Sequence, residues 1–118
     1  MSTPFIATQA ELDACIEPWS RAPFLALDTE FVREQTYYAQ LCLVQIGDGR
    51  TSACIDPLAG LDLGALWTCV MQSAHPRVFH AAGQDLEILI QLTQRAPANL
   101  FDTQIAASLL GLGDQMGY

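Results

Sequence analysis

Phe24-Leu-Ala-Leu-Asp-Thr-Glu-Phe-Val32 is an apolar run with two carboxylates, Asp28 and Glu30, set into its middle. A run this apolar predicts a central strand covered on both faces. Side chains alternate across a strand, so Asp28 and Glu30 share a face, with Cα atoms roughly 7 Å apart. Charges inside a buried strand are costly unless something cancels them. Two anions held this close call for a cation, and carboxylate oxygens suit Mg²⁺ or Mn²⁺. The competing reading puts both acids at the strand end, in solvent.

The rest of the chain alternates strands and helices around this run. Thr8 and Glu11 form a Thr-x-x-Glu capping box for a helix over 9–20, with Leu12, Cys15, Ile16 and Trp19 on its apolar face. After the acidic strand come a polar, aromatic connection (33–38) and a strand near 40–46. Gly47-Asp-Gly-Arg50 predicts a hairpin turn into a strand at 51–55. Further on, the periodicity predicts a helix over 62–73, a short strand at 77–81, a helix over 84–94, a strand at 100–101 and a last helix from Thr103 to about Leu110. The expected fold is α/β: a mixed sheet of about five strands, three antiparallel and two parallel, flanked by helices.

At 118 residues the chain holds one domain. No stretch reaches the ~18–20 apolar residues that cross a bilayer, and the N-terminus lacks a signal-peptide pattern, so a soluble, cytoplasmic protein is expected. The four cysteines (Cys15, Cys42, Cys54, Cys69) lack zinc spacing and read as reduced, packed thiols. The formal net charge is −8, and the five basic residues are all arginine. Such acidity opposes phosphate binding unless bound cations offset the site carboxylates. A hydrophobic fraction of 51% predicts apolar surface that needs cover.

A third acid enters with His80-Ala-Ala-Gly-Gln-Asp85, which places Asp85 in the first turn of a helix after a strand. It either complements the helix dipole or meets Asp28 and Glu30 in the crevice at the carboxyl ends of adjacent strands.

Leu25-Ala-Leu-Asp-Thr-Glu-Phe-Val-Arg33, Tyr37-Tyr-Ala-Gln-Leu41, Ile55-Asp-Pro-Leu58, His80-Ala-Ala-Gly-Gln-Asp-Leu-Glu87 and Leu100-Phe-Asp-Thr-Gln-Ile-Ala-Ala107 together resemble the ribonuclease D family, DEDD-class 3′→5′ exonucleases of ribonuclease H-like fold. The resemblance implies a hydrolase that trims RNA 3′ ends, with tRNA precursors as the expected substrate. It implies Asp28, Glu30 and Asp85 as catalytic metal ligands, and Thr29, Phe31 and His80 as lining for the terminal nucleotide. Such sites use two Mg²⁺ or Mn²⁺ ions roughly 3.5–4 Å apart.

The family's third motif, Tyr-x-x-x-Asp, has no counterpart here: Tyr118 is the last residue, Asp102 reads as a helix N-cap and Asp114 as a solvated loop acid. The family's C-terminal helical modules have no counterpart either. Residues 1–118 thus read as the N-terminal part of an exonuclease domain, inactive alone and prone to self-association through uncovered apolar surface. The alternative is a non-catalytic ribonuclease H-like module that binds nucleic acid or protein. Tyr37 and Tyr38 are candidates for RNA contact. Arg33 either reaches a phosphate or pairs with Glu34 or Glu30, whereas Trp19 and Trp67 fit helical core spacing.

Overall fold

The computed structural model describes residues 3–33, 39–72 and 74–112. In chain order the elements are β1 (Phe5–Ile6), α1 (Gln9–Ser20), β2 (Leu25–Val32), β3 (Gln40–Gly47), β4 (Ser52–Ile55), α2 (Gly64–Met71), β5 (Arg77–Phe79), α3 (Gly83–Thr93), β6 (Leu100–Asp102) and α4 (Thr103–Leu109). Six strands form one sheet in the order β1-β4-β3-β2-β5-β6. β2, β3 and β4 make the expected antiparallel meander, and β5 and β6 continue from β2 in parallel.

The sixth strand is β1, two residues long and parallel to β4. Two residues carry no readable alternation, so only the backbone pairing reveals it.

Local chemistry explains the element ends. Thr8 caps α1 by accepting from the Glu11 amide, while its hydroxyl donates to the Glu11 carboxylate at 2.6 Å. The β3–β4 hairpin turns on Asp48, whose carboxylate accepts from the Arg50 and Thr51 amides at 2.9 and 2.7 Å. Gly49 there has φ +86°, a conformation open to glycine at little cost. Helix α2 is shorter than its periodicity predicts, starting at Gly64, whose amide is taken by Asp62.

Alternate residues of the sheet meet different surroundings. Leu25, Leu27, Val44, Ile46, Ala53, Ile55 and Phe79 are buried in one cluster with Leu12 and Trp19 of α1, Leu66 and Val70 of α2, and Ile88 and Leu89 of α3. The opposite set, which includes Ala26, Asp28, Gln45, Cys54 and Val78, lines a cavity of about 360 Å³. Cover on both faces of the acidic strand is therefore not what the described residues provide. Helices α1 to α3 bury their apolar stripes in the one cluster, and α4 buries no residue.

Arg77 is 1% exposed inside this core. Its guanidinium donates to the carbonyls of Cys69 and Val70 at 2.8 and 2.9 Å, and to that of His75 at 3.1 Å. The Val70 carbonyl, in the last turn of α2, has its helix partner missing, whereas the Cys69 carbonyl also accepts from the Gln72 amide at 3.3 Å. Burial pushes the Arg77 guanidinium below its ordinary range.

Candidate active site

The two strand carboxylates do share a face, with Asp28 opposite Gln45 and Glu30 opposite Leu43. Just beyond them the register slips: Glu30 pairs with Leu43 but Phe31 pairs with Leu41, so Cys42 is the extra residue of a β-bulge. Bulges bend a strand and re-aim its side chains, and they concentrate beside functional sites. Asp28 is half-buried, Glu30 is exposed, and an Asp28 oxygen accepts from the Thr29 amide at 3.0 Å.

Thr29 points the other way. It is 6% exposed, and its hydroxyl donates to Asp85, which is equally buried in the first turn of α3. Burial pushes the Asp85 carboxyl above its usual range, the Thr29 hydrogen bond opposes this, and repulsion from Asp28 and Glu30 adds to the rise. The three acids thus feel one another electrostatically, with Asp85 approaching from the covered side of β2.

His80 and Asp28 line the same open-face cavity. The Phe31 ring packs against the core instead, and the Thr29 side chain is engaged with Asp85. Of the three residues expected around a terminal nucleotide, only His80 borders this cavity. Arg33 pairs with Glu87 of α3 at 2.9 Å, a partner that sequence proximity did not suggest. Trp19 and Trp67 pack in or against the core, as their spacing predicts. Tyr37, Tyr38, Asp114 and Tyr118 lie outside the described residues.

Asp102 caps α4, as its position before Thr103 predicts, by accepting from the Gln104 amide at 2.9 Å. It also reaches across to the turn between β5 and α3, accepting from the amides of Ala81 at 3.0 Å and Ala82 at 2.8 Å. Burial alone pushes its carboxyl up, but the amides of Ala82, Ala81, Gln104 and Ile105 outweigh this and hold it below the usual range. Thr103 contacts His80 Nδ1 at 2.8 Å and donates to the Phe79 carbonyl at 3.1 Å. Both cross-links were missed from sequence, because the Asp-Thr signal points only to the helix that it begins.

The donor chemistry suits a hard divalent cation: carboxylate oxygens from Asp28 and Glu30 on one face, with Asp85 close behind. Among the described residues no three acid, histidine or cysteine side chains already converge on one point. Asp28 and Glu30 share the open face, and Asp85 is held on the Thr29 hydroxyl.

A family model described as 3′-5′ exonuclease matches residues 4–118. The chain belongs to the 3′-5′ exonuclease family. It is 50% identical over 117 residues to ribonuclease D of Zymomonas mobilis, an alignment covering 98% of this chain and 30% of that relative. The crystal structure of Escherichia coli RNase D superposes with a TM-score of 0.91 at 38% identity, over 100% of this chain and 32% of that one. Brucella melitensis NrnC, solved with bound Mg²⁺, matches with a TM-score of 0.76 at 26% identity, over 99% of this chain and 58% of NrnC. The chain therefore spans about 30% of the length of the ribonuclease D relative. The ribonuclease H-like mixed sheet expected from the resemblance is the observed one, with six strands.

Proposed function

We propose that residues 1–118 are the N-terminal part of the exonuclease domain of a divalent-metal-dependent 3′→5′ exoribonuclease of ribonuclease D type, located in the cytoplasm. The observation that carries this reading is the acid pair Asp28 and Glu30, set on the uncovered sheet face beside the cavity shared by Asp28 and His80. Asp28 and Glu30 would hold the metal, with Asp85 as the third carboxylate. Two ions, Mg²⁺ or Mn²⁺, would serve the complete site, activating a water and stabilising the departing 3′ oxygen.

The substrate we propose is a single-stranded RNA 3′ end, with tRNA precursors the leading candidate. Support comes from the Mg²⁺-bound form of NrnC and from the same protein solved with pGG. His80, and the backbone around Thr29 and Phe31, would border the terminal nucleotide. This chain by itself would trim no RNA, because catalytic groups acting as a unit fail together when one is lacking.

Two measurements test the reading. Calorimetry with Mn²⁺ should show weak binding by the wild-type chain and none by Asp28→Asn, and equal affinities would refute the metal assignment. Incubation with single-stranded RNA and Mg²⁺ should leave 3′ ends intact, whereas shortening that disappears in Glu30→Gln would show that a replacement ligand completes the site.

We also propose self-association through exposed apolar surface, to which Phe101, Ile105 and Leu109 contribute at 50%, 60% and 84% exposure. Sedimentation should show association rising with concentration, and a clean monomer without hydrophobic-dye binding would refute it.

A further inference from the structure

Ala81 has φ +55°, a left-handed conformation that a residue with a Cβ adopts only when its surroundings impose it. It sits between His80 and Ala82, in the turn that leads into α3. The residue at the N-cap of α3 is Ala82, which has no side chain able to cap. The cap comes from elsewhere in the chain: one Asp102 oxygen takes the Ala81 amide and the other takes the Ala82 amide.

The next residue fixes the other side of the turn. Thr103 has a single hydroxyl proton, which it donates to the Phe79 carbonyl, so its oxygen accepts from His80. That bond requires the proton of the neutral imidazole to be on Nδ1, leaving Nε2 as an acceptor.

We infer that Asp102 and Thr103 are positioning residues: Asp102 locks Ala81 in its left-handed turn and so sets where α3 and Asp85 begin, while Thr103 sets the orientation and tautomer of His80. One dipeptide at the β6–α4 junction thus holds Phe79 to Ala82, the stretch that carries His80 and leads into the helix turn of Asp85. The functional consequence for Asp85 rests on the metal reading above; the clamp itself does not.

The experiment compares wild type with Asp102→Ala, Asp102→Asn and Thr103→Val, and with Asp102→Ala combined with Ala81→Gly. Side-chain ¹⁵N NMR reports the His80 tautomer, amide exchange reports Ala81 and Ala82, and calorimetry reports Mn²⁺ affinity. Wild type should carry the His80 proton on Nδ1. Asp102→Ala should speed exchange of both amides at least about tenfold and weaken Mn²⁺ binding by about tenfold, as loss of an outer partner does at metal sites. Asp102→Asn, which keeps one carbonyl acceptor, should lie between the two.

Adding Ala81→Gly should recover much of the Mn²⁺ affinity, because glycine keeps the turn without the clamp. Thr103→Val should move the His80 proton toward Nε2 while leaving both amides protected. If Asp102→Ala does not fold, the same exchange comparison on Asp102→Asn decides. Unchanged amide exchange in a folded Asp102 variant, or an unchanged tautomer in Thr103→Val, overturns the inference. Absence of Mn²⁺ binding in wild type would refute the metal reading alone, since the two NMR readouts still decide the clamp.

Discussion

Phe79 and Val78 are neighbours on β5, yet Phe79 is 1% exposed in the core while Val78, turned to the opposite face, is only half-buried. The same division runs through the whole sheet. The covered face is built of large side chains, whereas the open face carries Ala26, Gly47, Cys54, Gln45 and Asp28. The acids show what the division means. Asp28 lies on the open side and is only half-buried. Asp85, on the covered side, needs the Thr29 hydroxyl and has its carboxyl pushed up by burial. A sheet packed on one side thus sets a half-buried acid and a buried one on its two faces.

The strongest way to break the contrast is on the covered side. Phe79→Ala should destabilise the fold by about 3–5 kcal/mol in denaturant unfolding, through lost transfer energy and the cavity left behind. Arg77→Met should cost about 1–3 kcal/mol, because it strands the Val70 carbonyl at the end of α2 in a dry setting and removes one of two donors from the Cys69 carbonyl. A cost below about 1 kcal/mol would mean that water reaches them.

Asp102, half-buried at the β6–α4 junction, should behave differently with pH. Its folded carboxyl is held below the ordinary value of about 3.9, so its stabilisation is full above that value and is lost as pH falls through the folded pKa. Asp102→Asn should therefore cost about 1 kcal/mol near neutrality, because neutral hydrogen bonds replace charge-assisted ones to the Ala81, Ala82 and Gln104 amides, and urea melts near pH 2 should show the difference from wild type closing. A constant difference across that range would assign the effect to packing. The smallest change expected is at Val78→Ala, below about 1 kcal/mol, since that side chain already faces the cavity. A loss matching that of Phe79→Ala would mean that both faces are equally packed.

Much of this was legible in the sequence, for identifiable reasons. The acidic strand, the capped α1 and the Asp48 hairpin are set by residues within a few positions of one another, so short-range patterns expose them. Asp28 and Glu30 could be placed on one face because strand periodicity is strict. The illegible parts join distant residues. The Thr29–Asp85 bond spans 56 positions and the Asp102–Ala82 bond spans 20. The one-sided cover of β2 could not be read either, because an apolar run looks alike whether one or both of its faces are packed. Cys42, the bulged residue, gave no signal, since a cysteine suits a paired strand position equally well.

Burying Arg77 also changes the account of charge. Of the five arginines, one caps α2 from within the core, and Arg21 and Arg33 are paired with Glu17 and Glu87. Among the described residues, that leaves Arg50 and Arg95 as the cations outside any ion pair. Each phosphate neutralised on a single strand steepens the logarithmic salt dependence of binding by about 0.7. Two arginines thus give a slope no steeper than about −1.4, so any hold of this chain on RNA should loosen by about sevenfold between 50 and 200 mM salt, against about 10³–10⁵-fold for a protein with six to ten phosphate contacts.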